Sequence, residues 1–141
     1  MKIAGRPVGG GAAPLVIAEM SGNHNRSLER ALQIVDAAAA AGAHALKIQT
    51  YTADTMTLDV SEGEFSIRDK NSLWDGKTLY QLYQEAHTPW EWHAPIFERA
   101  RRREPGARLQ GEIKRDNAAS RKVFAALGFR ETSDTMFELD A

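Results

Sequence analysis

The sequence predicts an α/β fold built around a strand–helix–strand unit. Two short apolar runs, at residues 15–18 and 45–49, flank a segment in which apolar residues recur at helical spacing. This order implies two parallel strands joined by a right-handed crossover. The chain has 141 residues, which is enough for one ordinary domain with a buried core.

Composition excludes several classes of protein. Eighteen Lys and Arg balance nineteen Asp and Glu, and this net charge of −1 favours neither nucleic acid nor an acidic membrane as partner. The absence of Cys excludes disulfides, thiolate metal sites and a Cys nucleophile. No apolar run approaches the roughly 20 residues that span a bilayer, and no secretory segment follows the first Met. We therefore expect a cytoplasmic protein without nucleic-acid or membrane partners.

The first half of the chain is expected to hold the strand–helix–strand unit. Residues 15–18 are apolar at every position, as in a strand that is buried on both faces. The helix is expected from Ser27 to Gly42, because Gly ends many helices in a left-handed conformation. Its apolar stripe comprises Leu28, Ala31, Leu32, Val35 and Ala39. Residues 51–87 are polar and irregular, with a short helix near Leu79–Ala86.

A second helix is predicted from the sequence Thr88-Pro89-Trp90-Glu91. This pattern is typical of a capping box, with Thr88 as N-cap and Pro89 at the first helical position. The helix would bury Trp92, Ile96 and Ala100. It would end at the arginines of residues 101–103, where the helix dipole favours cations.

The pattern restarts after Glu104-Pro105-Gly106, a strong breaker. A strand is expected at residues 109–114, and one or two more within residues 129–140. Between them Asp116 or Asn117 offers an N-cap for a helix that Gly128 closes. Its apolar stripe comprises Ala119, Val123, Phe124 and Leu127. Residues 1–103 and 104–141 are therefore interpreted as separate segments.

Polar side chains at the ends of the two parallel strands form the candidate site. Glu19 follows the first strand, Lys47 and Gln49 end the second, and Asn23 and His24 occupy the loop after Glu19. The carboxyl ends of adjacent parallel strands meet at one edge, where α/β proteins place their active sites. The alternative is a Glu19–Lys47 ion pair that only satisfies two buried strand ends. The pattern leaves both interpretations open.

Other chemistry-bearing residues carry weaker signals. His24 alone would be expected to face solvent, and the spacing of His44, His87 and His93 fits no metal site. The three tryptophans are interpreted as packing anchors: Trp74, Trp90 and Trp92.

Several motifs over residues 3–103 resemble the sialic acid (N-acetylneuraminate) synthase family, in its pseudaminic branch. They are, in order, IAEMSGNHN at 17–25, KIQTYTADTMT at 47–57, SLW at 72–74, GKTLY at 76–80 and TPWEWH at 88–93. The resemblance implies a (β/α)8 barrel, usually followed by an antifreeze-like domain. It also implies condensation of phosphoenolpyruvate with an N-acylated amino sugar, using Mn2+ or Mg2+. In the pseudaminic branch that sugar is 2,4-diacetamido-2,4,6-trideoxy-L-altrose.

The resemblance assigns roles to the strand-end residues. Lys47 corresponds to a lysine that holds phosphoenolpyruvate, where a fixed cation offsets phosphate and carboxylate charge. Gln49 corresponds to a residue that contacts the acceptor sugar, and Glu19 to an acidic residue with an acid/base or orienting role. Asn23 and His24 belong to the loop motif without an assigned role. The family's metal ligands lie downstream, so none is expected in this chain.

The chain is too short for the fold that the resemblance implies. A (β/α)8 barrel needs at least about 200 residues, and only two βα units are present here. We therefore expect a partial barrel whose strand edges and apolar faces lie open, unless a homo-oligomer covers them.

The tail, about residues 108–139, resembles the end of the acetyl-CoA-dependent N-acetyltransferase (GNAT) superfamily. The resemblance rests on GEIKRDNAAS at 111–120, on Val123-Phe124 and on LGF at 127–129. The superfamily's pyrophosphate loop is absent, and Phe124 stands where many members have the Tyr that acts as general acid. Acetyl-CoA is therefore not an expected cofactor. The junction near residues 103–108 fits a fusion of neighbouring biosynthetic genes or a gene-model artefact.

Three functions follow as hypotheses. The first is a truncated, chimeric synthase with a remnant site at Glu19, Lys47 and Gln49. The second is an inactive α/β remnant that binds a phosphorylated ligand through Lys47 or binds a partner protein. The third is an acetyltransferase fragment. The isolated chain is expected to lack turnover.

Overall fold

A computed structural model describes residues 1–3 and 5–139, apart from the side chain of Ala119. The chain divides into two compact units, Met1–Ile96 and Phe97–Ala141. The end of the last predicted strand, at Asp140, lies outside the described residues.

The first unit contains the predicted strand–helix–strand arrangement. Strands β1 (Lys2–Ile3) and β2 (Arg6–Pro7) pair as a small antiparallel hairpin. Strand β3 (Ile17–Glu19) is followed by helix α1 (Leu28–Ala40) and strand β4 (Ala45–Lys47). Strands β3 and β4 pair in parallel, with Glu19 directly opposite Lys47. The α/β class is confirmed, in the form of a partial α/β fragment.

Helix α1 begins and ends as its sequence predicts. The Ser27 hydroxyl accepts a hydrogen bond from the Arg30 amide at 3.2 Å, which satisfies one amide of the first turn. Ala31 and Val35 are buried on the predicted apolar stripe. Gly42 follows the helix with φ +73°, a conformation that a side chain would strain.

The expected burial of the first strand on both faces is wrong. Val16 and Ile17 are 49% and 50% exposed. On one face of the paired strands, Ile17, Glu19, Ala45 and Lys47 are all exposed. Parallel sheets are normally covered on both faces, and within the described residues no second layer covers this one. The open face agrees with a fragment that has only two βα units.

The rest of the first unit connects β4 to the second predicted helix. Helix α2 (Ala53–Met56) and a 3-10 turn (Gly63–Phe65) precede helix α3 (Leu79–Ala86), which has the predicted bounds. Thr78 and Gln81 form a reciprocal capping box at its start, with bonds of 3.1 and 3.0 Å. A 3-10 turn (Trp90–Trp92) then leads into helix α4 (His93–Arg103).

The predicted capping box at Thr88 is wrong. The backbone at Pro89 is not helical, with ψ 143°, and the Thr88 hydroxyl is buried without a hydrogen-bond partner. The Thr88 amide instead donates to the Gln49 carbonyl at 2.8 Å, which ties this segment to the end of β4. The chain therefore turns once as a 3-10 helix before α4 begins.

The second unit is a three-stranded antiparallel sheet with one helix. Strand β5 (Leu109–Glu112) is followed by helix α5 (Ala118–Ala126) and strands β6 (Arg130–Glu131) and β7 (Met136–Leu139). The strand order is β5-β7-β6, so β7 is central. The core comprises Leu109, Ile113, Phe129 and Phe137, with Phe97, Phe124 and Leu139 packed against it.

Helix α5 confirms its predicted cap but only part of its predicted stripe. The Asn117 side chain accepts a hydrogen bond from the Ser120 amide at 3.0 Å. Phe124 packs on the core, whereas Val123 and Leu127 are 42% and 54% exposed. Phe124 makes the contact between the helix and the small sheet, because its ring lies directly against Gly111. The side chain of Ala119, the fourth stripe residue, lies outside the described atoms.

Candidate functional site

The ends of β3 and β4 bring Glu19 and Lys47 together. The Lys47 ammonium donates to a Glu19 carboxylate oxygen at 2.7 Å. The side chains are 59% exposed for Lys47 and 38% for Glu19, so the expected burial of these strand ends is wrong. The two charges are paired, and they are also accessible because no second layer covers this edge of the sheet within the described residues.

Gln49 lies at the same edge, two residues beyond Lys47. The Met20 amide donates to the Lys47 carbonyl at 3.0 Å, which extends the pairing of β3 and β4 by one residue. Gln49 is half-buried, and its carbonyl accepts the hydrogen bond from Thr88. The structure therefore brings the sequence-predicted residues Glu19 and Lys47 together at one strand edge, and Gln49 follows two residues further along the chain.

The loop after β3, residues 20–27, is tightly wound. Met20 is fully buried, and its carbonyl accepts hydrogen bonds from the backbone and the side-chain amide of Asn23 at 3.1 and 3.0 Å. Ser21, Asn25 and Arg26 adopt positive φ angles of 46°, 48° and 58°. Such conformations are unfavourable for residues with a side chain, and they cluster at functional sites and turns.

His24 occupies the centre of this loop and is completely buried, contrary to the expectation that it faces solvent. Its Nδ1 accepts a hydrogen bond from the Arg26 amide at 3.1 Å, while Nε2 has no hydrogen-bond partner of normal geometry. The ring meets the Trp92 indole edge to face, with centroids 5.2 Å apart. Burial lowers the pKa of His24 below its ordinary value, an effect that the nearby Ala86 carbonyl partly opposes.

A second histidine, the half-buried His93, lies near the same strand end and was not singled out as a site residue by the sequence. Its Nδ1 lies 3.1 and 3.0 Å from the carbonyls of Pro89 and Trp90, which places the ring proton on Nδ1. Nε2 then accepts from the Thr50 hydroxyl at 2.6 Å. Burial lowers the pKa of His93. The only sequence signal was its position within the TPWEWH motif.

Two adjoining cavities flank the loop, with volumes of about 540 and 370 Å3. They share four lining residues: Arg26, Gln84, Glu85 and His87. The smaller cavity also reaches His24 and the Trp90–Trp92 turn. No sequence pattern pointed to these residues, because they come from segments about 60 residues apart in the chain.

The described residues do not fit the divalent metal that the resemblance implies. Within residues 1–3 and 5–139, no three His, Asp or Glu side chains come together as a metal site requires. In the same residues, no helix has the length and hydropathy to cross a membrane.

A carboxylate and an ammonium that face each other at adjacent parallel strand ends define an α/β chain with a polar strand-end site. The chain matches the NeuB family over residues 34–106, just over half of its length. It belongs to the NeuB family. The matched range ends within the stretch where the sequence predicts the junction.

Curated relatives place the chain near the pseudaminic acid synthases. It is 54% identical to pseudaminic acid synthase of Campylobacter jejuni serotype O:2 over 85 residues, 60% of this chain and 24% of the relative. It is 46% identical to pseudaminic acid synthase of Helicobacter pylori over 93 residues, 66% of this chain and 27% of the relative. Spore coat polysaccharide biosynthesis protein SpsE of Bacillus subtilis is 33% identical over 103 residues, 73% and 26%. The chain thus spans about a quarter of the length of these relatives.

Proposed function

We propose that this chain carries the phosphoenolpyruvate-binding and sugar-binding strand ends of a pseudaminic acid synthase-type enzyme. The reaction would condense phosphoenolpyruvate with 2,4-diacetamido-2,4,6-trideoxy-L-altrose: carbon 3 attacks the aldehyde carbon, water adds at carbon 2, and phosphate leaves. The high identity to two pseudaminic acid synthases supports this substrate pair.

The observation that carries the proposal is the accessible Lys47 ammonium at the strand edge. It is more than half exposed, and one carboxylate, that of Glu19, holds it at 2.7 Å. An incoming phosphate or carboxylate can bind the free side of the ammonium, because an ammonium has three donors. Glu19 then orients the lysine or exchanges a proton with the reacting groups, and the Gln49 amide contacts the sugar.

For the isolated chain we propose binding without turnover. The described residues supply a cation and an amide at the strand ends but no metal site. In the part of the chain that the structure describes, no segment covers the open face of β3 and β4 and shields a reacting pair from water. The chain therefore holds phosphoenolpyruvate weakly and does not complete the condensation.

Calorimetric titration of the 141-residue chain with phosphoenolpyruvate tests this proposal. We expect millimolar binding that Lys47→Ala abolishes, because the variant removes the cation. The matched control is Lys70→Ala, which removes an exposed lysine from the segment between α2 and α3 and should leave binding unchanged. Absence of wild-type binding at millimolar concentration, or equal loss in both variants, would contradict the proposal.

A second assay separates binding from turnover. Phosphate release is measured with phosphoenolpyruvate, the altrose derivative and Mn2+. We expect none from this chain, whereas sustained release would show that it completes the reaction and would overturn the binding-only proposal.

The tail remains a predicted GNAT-like segment, and we propose no acetyl transfer for it. Phe124, at the position where a general acid would be expected, packs its ring against Phe129 and Phe137. A phenyl ring in that place stabilises the core and exchanges no proton.

A further inference from the structure

His24 has a burial that packing alone does not explain. The ring is fully buried although Nε2 has no hydrogen-bond partner of normal geometry, and such groups are rare in native proteins because they are costly to desolvate. An apolar side chain would fill the space without that cost. Nδ1, however, accepts the amide of Arg26, a residue in the left-handed region. The hydrogen bond to His24 Nδ1 therefore stabilises the strained backbone turn at Arg26.

The loop that contains His24 packs directly on the end of α3. A Cβ added to Gly22 would lie 3.1 Å from the Ala86 Cβ and 3.2 Å from its Cα, so the two backbones are in close approach. His24 contacts Trp92 a few residues further on. Residues 20–27 are thus fixed to the segment that runs from Ala86 to Trp92.

That segment is in turn fixed to the end of β4, which closes a circuit of contacts. The Thr88 amide bonds the Gln49 carbonyl, and the Met20 amide bonds the Lys47 carbonyl. The circuit runs from the end of β3 through His24 and Trp92 to Thr88 and back to the end of β4. Glu19 and Lys47 are the last residues of the two strands that these contacts join.

From this circuit we propose that His24 is a positioning residue, whose neutral ring clasps the two strand ends so that Glu19, Lys47 and Gln49 keep their mutual spacing. The expected effect on ligand binding rests on the proposed function. The clasp, meaning the connection of the two strand ends through His24, can be measured without a ligand. In this role His24 acts on the strand ends through the Arg26 amide and Trp92.

The chain contains a matched control at the opposite end of the same strand. His44 Nδ1 accepts the Val16 amide at 2.9 Å, the same kind of bond that His24 makes to Arg26. His44 is exposed and lies where β3 begins, away from the strand ends that carry the site. Variants of the two histidines therefore remove equivalent bonds at different ends of one strand.

Amide hydrogen exchange of the full 141-residue chain, followed by NMR, tests the clasp. In His24→Leu, which keeps the volume and loses the acceptor, we expect the amides of Arg26, Met20 and Thr88 to exchange about tenfold faster. His44→Leu should leave Met20 and Thr88 within about twofold of wild type. The proposal would be overturned if the Met20 and Thr88 amides of His24→Leu exchanged at the same rates as in the wild type.

Two further measurements keep the test decisive if His24→Leu does not fold. His24→Asn retains an oxygen acceptor near the position of Nδ1, and it should restore protection of the Arg26 amide to within about threefold of wild type. Failure of this rescue in a folded variant would refute the role of the acceptor.

The second measurement is a pH series on the wild type. Acidification should protonate Nδ1 and speed exchange at Arg26, Met20 and Thr88 together, beyond the intrinsic pH dependence. The charged and titratable groups that line the same cavity as the ring are Arg26 on its own loop, Glu85 and His87 at and just after the end of α3, and Glu91 in the Trp90–Trp92 turn. Independent changes at the three amides would refute the clasp.

Ligand titration separates this proposal from the proposed function. We expect phosphoenolpyruvate affinity to fall about tenfold in His24→Leu, with Lys47 and Glu19 still present, and to stay unchanged in His44→Leu. If wild type binds no phosphoenolpyruvate, the proposed function fails while hydrogen exchange still decides the clasp. If wild type binds and His24→Leu binds equally well, the positioning role fails and the proposed function stands.

Discussion

Removing the Glu19–Lys47 ion pair is expected to change the stability of the first unit only slightly. Two unit charges at 2.7 Å attract by about 1.5 kcal/mol in water, before side-chain entropy is subtracted. Measured coupling energies for exposed pairs are roughly 0.2–1 kcal/mol, and the exposed fractions here are 59% and 38%. We therefore expect a coupling free energy of about 0.5 kcal/mol.

A double-mutant cycle measures this coupling. Glu19→Gln, Lys47→Met and the double variant are unfolded in urea, with tryptophan fluorescence as the readout. All three tryptophans lie in the first unit, so the signal reports that unit: Trp74, Trp90 and Trp92. A single transition with a slope of roughly 1–3 kcal/mol/M would justify two-state analysis. Added salt should reduce the coupling further.

The result separates the two interpretations that the sequence left open. A coupling above about 2 kcal/mol, or loss of the cooperative transition in Lys47→Met, would show that the pair holds the fold together. It would refute the reasoning that exposure makes these charges available. A small coupling together with loss of phosphoenolpyruvate binding would assign the lysine to ligand binding.

Two further predictions concern the second unit and pH. Gly111→Ala would place a Cβ 2.1 Å from a ring carbon of Phe124, so we expect about 1–3 kcal/mol of destabilisation in thermal circular dichroism. Gly106→Ala, which meets nothing within 4 Å, should be neutral, and equal effects would contradict this account. Burial lowers the pKa values of His24 and His93, so the unfolded chain binds protons first as the pH falls. The free energy of unfolding should therefore be highest above the ordinary histidine pKa of 6.5 and fall below it, and a urea midpoint that does not fall from pH 7.5 to pH 5 would refute this.

Local sequence signals located most of the secondary structure. Helix α1 begins at the expected place, directly after Ser27, and is followed by the predicted Gly42, and α3 has the predicted bounds. Asn117 caps α5 as expected. These signals work because capping, glycine conformation and apolar periodicity involve neighbours within one or two turns.

The errors occurred where distant segments compete for the same groups. Thr88 has the residue type and spacing of an N-cap, but its amide is taken by Gln49, about 40 residues earlier in the chain. His24 resembles a loop histidine, yet Trp92 covers it. Val16 and Ile17 form an apolar run that remains exposed, because a strand is buried only if other layers exist to cover it.

The sequence by itself determined the α/β class, the parallel strand pair and the family, because these depend on periodicity and on motifs along the chain. It also determined that Glu19 and Lys47 meet at one edge, since adjacent parallel strands end together. Only the tertiary structure decided that these charges are exposed and that His24 joins the two strand ends. Burial and long-range contacts depend on which segments pack against each other, and this cannot be read from any one segment.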